Sequence, residues 1–330
     1  VILLTGAAGF IGYRIARRLQ SESIPFVSVD RLDAFGSRPE HQDVQHLEKA
    51  APESVLSSEF FQSRVGTPRA ITGILHMGAC SDTTELRVDY LQQVNVEYSK
   101  TLWTRAKEMS IPYVYASSAA TYGAGESGYA DDEAQMSKLR PLNPYGQSKL
   151  DFDLWALREE AKGSTPPAWS GFKFFNVYGF GERHKGKMAS VVLQGFDQIR
   201  QNGLLKLFKS HKPGIADGEQ KRDFIYVEDV VDAVLFALQK PISRGIYNLG
   251  TGQARSFLDL ARATFRALHQ AEKIDFIETP IEIRDRYQYF TEATMQKLRA
   301  AGYQKGFTSL EDGVKQTVQE LETRSNVLAR

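Results

Sequence analysis

Val1-Ile2-Leu3-Leu4-Thr5-Gly6-Ala7-Ala8-Gly9-Phe10-Ile11-Gly12 opens the chain. Val1 to Thr5 reads as one apolar run, the pattern of a strand covered on both faces. Glycines at every third position then break it. Ile11, Ile15, Ala16 and Leu19 recur at helical spacing. Phe26-Val27-Ser28-Val29 reads as a second strand, ending at Asp30. Strand, helix and strand in so short a span make a βαβ unit, and a parallel sheet follows from it.

The same rhythm continues downstream. Ile71–Met77, Pro112–Ser117 and Gly171–Asn176 read as strands. Val88–Met109 and Pro144–Ala161 read as helices, the first amphipathic and suited to a subunit interface or to core packing. Alternation to about residue 176 predicts a doubly wound sheet. Beyond it, residues 182–222 carry nine Lys/Arg against four acids. Residues 209–221 read as a loop, Val230–Leu238 as a helix, Ile246–Leu249 as a strand, and 256–330 as mostly helical. The expected fold class is α/β: a Rossmann-type doubly wound parallel sheet with a smaller C-terminal α/β substrate domain. Residues 1–176, joined by roughly 224–250, form the first domain; 177–223 and 251–330 form the second.

The 330 residues hold 42% hydrophobic and 25% charged side chains, with a net charge of +1. A near-neutral balance argues against a dedicated nucleic-acid binder. The single cysteine, Cys80, cannot form an internal disulfide and points to a reducing compartment. No run of eighteen apolar residues marks a membrane span. The chain opens on a strand pattern with no basic segment before an apolar one, so no secretory signal is expected and the location read is cytoplasmic.

In a strand–turn–helix context, Gly6, Gly9 and Gly12 have defined uses. The first permits the tight turn, the second lets backbone approach a pyrophosphate, and the third lets helix and strand pack closely. The helix N-terminus at Phe10 and Ile11 then faces the phosphates. The turn therefore predicts a bound dinucleotide. Asp30, 18 residues after Gly12, stands where an acid meets a free ribose and favours NAD. Arg31 and Arg38 stand where a cation would hold a 2′-phosphate and favour NADP.

Tyr145-Gly146-Gln147-Ser148-Lys149 places a phenol and an amine one helical turn apart. A nearby ammonium favours the phenolate, so Tyr145 could exchange a proton with a substrate hydroxyl while hydride moves to or from nicotinamide. Ser117 and Ser118 end the preceding strand, where a hydroxyl could align the substrate oxygen.

With these pieces in place, the chain resembles the extended short-chain dehydrogenase/reductases that act on nucleotide sugars. Gly6–Gly12, Ser117-Ser118-Ala119-Ala120-Thr121-Tyr122-Gly123 and Tyr145–Lys149 carry the likeness. It narrows to the ADP-L-glycero-D-manno-heptose 6-epimerases. The narrower match lies in His76–Glu85, Phe174–Gly179, His184-Lys185-Gly186-Lys187-Met188-Ala189-Ser190, Lys221–Phe224 and Arg286-Tyr287-Gln288. It runs from Val1 to about Leu321 and is weakest over 33–70.

The resemblance implies an isomerase that inverts C6 of an ADP-linked heptose, a step of lipopolysaccharide biosynthesis. It implies transient oxidation to a ketone and re-reduction with tightly bound NADP. Inversion is served by two proton-transferring groups, and the likeness carries those roles onto Tyr145 and Lys185, with Lys149 and Ser118 assisting. It assigns the cofactor to Met77, Gly78, Ala79, Cys80, Ser81, Asn95, Lys149, Val177 and His184, besides the glycine turn. It assigns the nucleotide sugar to Ser118, Asn176, Lys187, Gln194, Phe208, Lys209, Ser210, His211, Arg222 and Tyr287. No metal, nucleic acid or membrane partner is implied; a homo-oligomer is, family members being pentameric.

Met77, Lys187, Gln194, Phe180-Gly181 and the 209–221 loop depart from the family pattern and bear on sugar and nucleotide choice. A C4 epimerase using NAD and a non-catalytic dinucleotide sensor are the alternatives. A 4,6-dehydratase is disfavoured because Ala119-Ala120 follow Ser118 where an acid pair would stand.

Overall fold

The computed structural model describes residues 1–240, 242–284 and 287–328. In chain order the strands are β1 (Ile2–Thr5), β2 (Phe26–Val29), β3 (Glu48–Ala50), β4 (Gly73–His76), β5 (Tyr113–Ser118), β6 (Trp169–Phe174), β7 (Asn176–Tyr178), β8 (Leu205–Phe208), β9 (Lys221–Tyr226), β10 (Gly245–Leu249), β11 (Ala254–Ser256) and β12 (Ile274–Ile277). The helices used below are α1 (Phe10–Ser21), α2 (Ser58–Gln62), α3 (Val88–Leu91), α4 (Tyr98–Glu108), α5 (Pro144–Ala161), α6 (Val191–Asn202), α7 (Val227–Gln239) and α8 (Phe257–Ala267).

The chain divides into two compact units. The first holds Val1–Phe174, Val231–Asn248 and Gln296–Gln304; the second holds Phe175–Val230, Leu249–Met295 and Lys305–Arg330. Residues 224–230, expected with the first domain, lie in the second unit, and 296–304 lie in the first.

A seven-stranded sheet, ordered β10-β6-β5-β4-β1-β2-β3, builds the first unit. From β6 through β5, β4, β1 and β2 to β3, neighbouring strands run parallel. β1 is buried at every residue, with Leu3 and Leu4 at 0% exposure, as its apolar run requires. Strand order reverses between β1 and β4. That switch point is where open α/β sheets form a crevice beyond the strand ends.

Several boundaries differ from expectation. The helix expected at Val88–Met109 is continuous to Glu108 but widens in its middle: α3 passes into a π-helical turn over Gln92–Glu97 and on into α4. The wider turn buries Asn95, whose side chain is held by two other segments (below). The strand predicted at Gly171–Asn176 begins at Trp169 and stops at Phe174; Asn176–Tyr178 belongs to a different sheet. β12 interrupts the stretch expected to be mostly helical.

In the second unit β7, β9 and β11 form one sheet and β8 pairs with β12. Ser190 caps α6, accepting from the Leu193 amide, and Gly203 in the left-handed conformation ends it. α8 starts with a reciprocal Ser256–Asp259 capping box.

Candidate active site

The glycine turn is shaped by backbone contact. A Cβ on Gly12 would lie 2.0 Å from the Gly6 carbonyl oxygen. Gly6 has φ +67°, and a Cβ there would lie 2.7 Å from the backbone of Met77 and Gly78. The loops that leave β1 and β4 thus touch main chain to main chain. Gly9 starts α1 with no capping side chain, leaving that helix end to a ligand's charge. Phe10 is buried and Ile11 half-buried in the first turn. This cradle, which side chains would fill, fits a dinucleotide pyrophosphate.

Asp30 does more than wait for a ribose. One of its oxygens accepts from the Ala8 amide at 3.0 Å and the other from Arg31 N at 2.8 Å. The two arginines separate. The Arg31 side chain is 72% exposed and pairs with Asp33 at 3.3 Å. Arg38 is half-buried, faces Asp30, and its Nη1 is buried without a hydrogen bond to the protein. Burial lowers its proton affinity, Asp30 opposing. An orphaned guanidinium nitrogen in this place fits a 2′-phosphate.

Two histidines that sequence reading did not single out brace this end of the sheet. His76 Nδ1 lies 2.7 Å from Thr5 Oγ1, and its Nε2 lies 2.8 Å from Ser99 Oγ. Full burial drives His76 down to about 3, so it is a neutral strut between β1, β4 and α4. His41 stacks on Tyr13 at 4.0 Å and bonds the Ala8 carbonyl at 3.1 Å, holding the Arg38 loop against the glycine turn.

Met77, Gly78, Ala79 and Cys80 are half-buried and Ser81 exposed on the loop after β4. Asn95, expected to touch cofactor, is buried and makes three hydrogen bonds to the protein. Its Oδ1 accepts from Cys80 N at 2.8 Å. Its Nδ2 donates to Cys80 O at 3.0 Å and to Ser148 Oγ at 2.9 Å. It ties the loop to α5 and is a positioning residue.

On α5, Asn143 caps the helix by accepting from Gly146 N at 2.7 Å, with Pro144 in the first turn. A Cβ on Gly146 would lie 2.8 Å from the Ala120 carbonyl oxygen, so glycine lets α5 press against the turn after Ser118. Ser118 is brought to hydrogen-bond the Tyr145 hydroxyl. Tyr145 is buried, and burial raises its pKa; the Ser118 bond opposes the rise. The phenol therefore sits above its ordinary value, against the expectation that Lys149 would depress it. Lys149 is buried, donates to the Ala116 carbonyl at 2.9 Å, and is pulled down by burial to about 8.

α5 and β6 also share an ion pair that no sequence motif marks. Lys173 on β6 meets Asp153 on α5 at 2.6 Å, both side chains 0% exposed. Asp153 also accepts from Tyr115 at 2.9 Å and Ser117 at 2.7 Å, and Lys173 donates to Thr121 at 2.7 Å. Asp153 follows Lys149 by one turn on the same face, the one local hint available.

In the second unit, Lys185 sits half-buried in the 3₁₀ turn Arg183–Met188, where Gly186 takes φ +52°. His184 and Lys187 on this turn are exposed, as is Asn176 on β7; Val177 is half-buried. Gln194 donates to Lys187 O at 3.2 Å and Ala189 O at 2.8 Å, closing the turn.

Phe208, Arg222 and Tyr287 do cluster. The Arg222 guanidinium lies 5.4 Å from the Tyr287 ring centre, and the Tyr287 and Phe208 rings meet edge-on at 6.2 Å. Arg222 is 6% exposed and donates to the carbonyls of Lys221 and Gln288, so part of its fork is committed to the chain. Lys209 pairs with Glu278 at 2.9 Å, the Ser210 amide donates to Asp217 at 2.7 Å, and the His211 amide donates to Tyr289 Oη at 2.8 Å. Arg286 lies outside the described residues.

A parallel sheet with a glycine cradle at its switch point and a Ser–Tyr–Lys set beside it defines the class. The chain belongs to the NAD dependent epimerase/dehydratase family, whose model matches residues 2–250. ADP-L-glycero-D-manno-heptose-6-epimerase of Fusobacterium nucleatum is 46% identical over 330 residues, covering 97% of both chains. Its namesake from Nitratidesulfovibrio vulgaris is 42% identical over 319 residues, covering 96% of this chain and 97% of the relative. The crystal structure of Helicobacter pylori ADP-L-glycero-D-manno-heptose-6-epimerase aligns with a TM-score of 0.77 at 27% identity, over 97% of this chain and 96% of that one. Among the described residues no helix is long and apolar enough to cross a membrane.

Proposed function

We propose that the protein is an isomerase that inverts C6 of ADP-D-glycero-D-manno-heptose to give the L-glycero epimer. The observation that carries this reading is the Ser118–Tyr145–Lys149 set, its tyrosine and lysine buried, in a chain whose near full-length relatives bear that activity in their names.

A nicotinamide dinucleotide, when bound, supplies the hydride acceptor and donor. Gly6, Gly9 and Gly12 would hold its pyrophosphate, and Arg38, with its buried unbonded Nη1, would take the 2′-phosphate, so the form read here is NADP. Asp30 would stay on the glycine turn it already braces.

Ser118 orients the Tyr145 hydroxyl and lightens the cost of its ionisation. Lys149, anchored on Ala116 O, places a titratable amine on the same helix face. In this reading one of Tyr145 and Lys185 takes the proton of the C6 hydroxyl as the C6–H bond breaks. C6 becomes a ketone and the sugar side chain turns. The other residue then gives a proton to the oxygen as C–H re-forms on the opposite face. No net oxidation results. The aromatic–guanidinium cluster of Phe208, Arg222 and Tyr287 receives the nucleotide.

We further read the enzyme as cytoplasmic and homo-oligomeric, with Leu86, Val88 and Tyr90 as exposed apolar surface available to a second copy. Light scattering on the purified protein tests the assembly. For the reaction, purified protein is incubated with ADP-D-glycero-D-manno-heptose and the epimers are separated. Conversion without added cofactor, with NADP released on denaturation, is the expected result; no conversion, or NAD alone in the released fraction, would overturn it.

A further inference from the structure

We propose that Glu182 is the positioning residue of Lys185: its carboxylate, fixed by Ser190 at the start of α6, holds the Lys185 ammonium in place and governs its proton exchange. This deepens the reading of Lys185 given above and rests on it.

Glu182 is 1% exposed, whereas the Lys185 side chain is 27% exposed. A buried carboxylate is costly unless its oxygens are satisfied. Here both are. Ser190 N donates to Oε2 at 2.8 Å and the Ser190 hydroxyl donates to Oε1. The same hydroxyl caps α6, so the carboxylate lies at the positive end of a 12-residue helix. Lys185 Nζ stands 3.9 Å from Oε2, and its amide donates to the Glu182 carbonyl at 2.9 Å.

That separation is an ion-pair distance, longer than a hydrogen bond. The lysine feels a fixed negative charge without being pinned by it. The charged or titratable groups of its own segment and of α6 include Arg183, His184, Lys187 and Asp197. Asp197 is engaged by Arg183 at 3.0 Å. Burial raises the proton affinity of Glu182 and Lys185 is the leading cause that lowers it, which is the reciprocal side of the same coupling. The geometry also accounts for the His184–Ser190 run: Gly186 turns the chain back, and Ser190 returns to grip the residue that precedes the run.

The test is direct titration of Lys185 in the cofactor-loaded enzyme. Lysines are dimethylated with a ¹³C label and followed by NMR, the Lys185 signal being assigned by Lys185→Arg. Glu182→Gln should lower the Lys185 midpoint by about one pH unit, as expected for unit charges near 4 Å in a largely aqueous setting. The matching limb of the kcat–pH profile should move with it. Glu182→Asp keeps the charge but withdraws it by one methylene. It should shift the midpoint less, in the same direction, and serves if the amide variant does not fold. An unmoved midpoint in these variants overturns the proposal, whatever their turnover, because a merely structural glutamate would lower activity without moving it. Full turnover in Lys185→Met would sink the catalytic reading instead, leaving the titration to judge the ion pair by itself.

Discussion

Two of the buried carboxylates that face a lysine, Asp153 and Glu182, are built in opposite ways. Asp153 and Lys173 meet at 2.6 Å with neither side chain exposed, and Tyr115, Ser117 and Thr121 complete their hydrogen bonds. Glu182 and Lys185 stand 3.9 Å apart, with the carboxylate sealed and the lysine partly in solvent. The first is a rivet between α5, β5 and β6. Proton movement there would strand several donors at once. In the second, the lysine reaches solvent while the carboxylate does not. The same chemistry serves as a sealed fixture in one place and as a solvent-reaching pair in the other.

The largest effect should come from breaking the rivet. Asp153→Asn or Lys173→Met leaves one buried charge unanswered and should cost about 3–5 kcal/mol, read as a lower urea midpoint. The double variant Asp153→Leu/Lys173→Met should recover most of it. If the single variants unfold like wild type, the pair is no fixture.

Next come the proton-transferring groups. Tyr145→Phe and Lys185→Met should each lower kcat by about 10²–10⁴ with cofactor retained and the melting temperature little changed. A Lys185→Met protein that loses stability as Asp153→Asn does would erase the contrast.

Lys149 tests the same idea through pH. Its folded value of about 8 lies below its ordinary 10.5. Between those values the unfolded chain holds a proton the folded one has released, so stability should rise with pH across that window. The gain should approach about 3 kcal/mol relative to Lys149→Met, and denaturant midpoints on cofactor-free protein at pH 8 and 10 would show it. Smallest is Arg38→Ala, which should weaken NADP by about 10–100-fold and NAD hardly at all, measured by cofactor titration.

The rivet and the glycine cradle also show what a sequence can disclose. Gly6–Gly12, Ser118 and Tyr145–Lys149 were legible because each lies in a short stretch whose spacing is its mechanism. Asp153 and Lys173 are 20 residues apart on different elements, so only the folded sheet unites them. Glu182 was counted as one acid in a basic stretch, although it sits three residues before Lys185. Asn95 enters the site only through the family resemblance, because the π-helical turn that buries it has no sequence pattern of its own. Arg38 and Arg31 are equivalent by spacing, and only the fold separates them, burying Arg38 Nη1 while the Arg31 side chain stays in solvent.

The first unit is assembled from three separated stretches, the last being Gln296–Gln304. Lys297 from that stretch bonds Glu133 at 2.5 Å and the Ile246 carbonyl at 2.8 Å. A ribosome making this protein must therefore release the greater part of the second unit before the first can close. Until Gly245–Leu249 has been made the nascent sheet lacks β10, and one side of β6 is left unpaired. Neither unit is one continuous stretch of chain, and a premature stop before Lys297 would leave the first unit without its last segment.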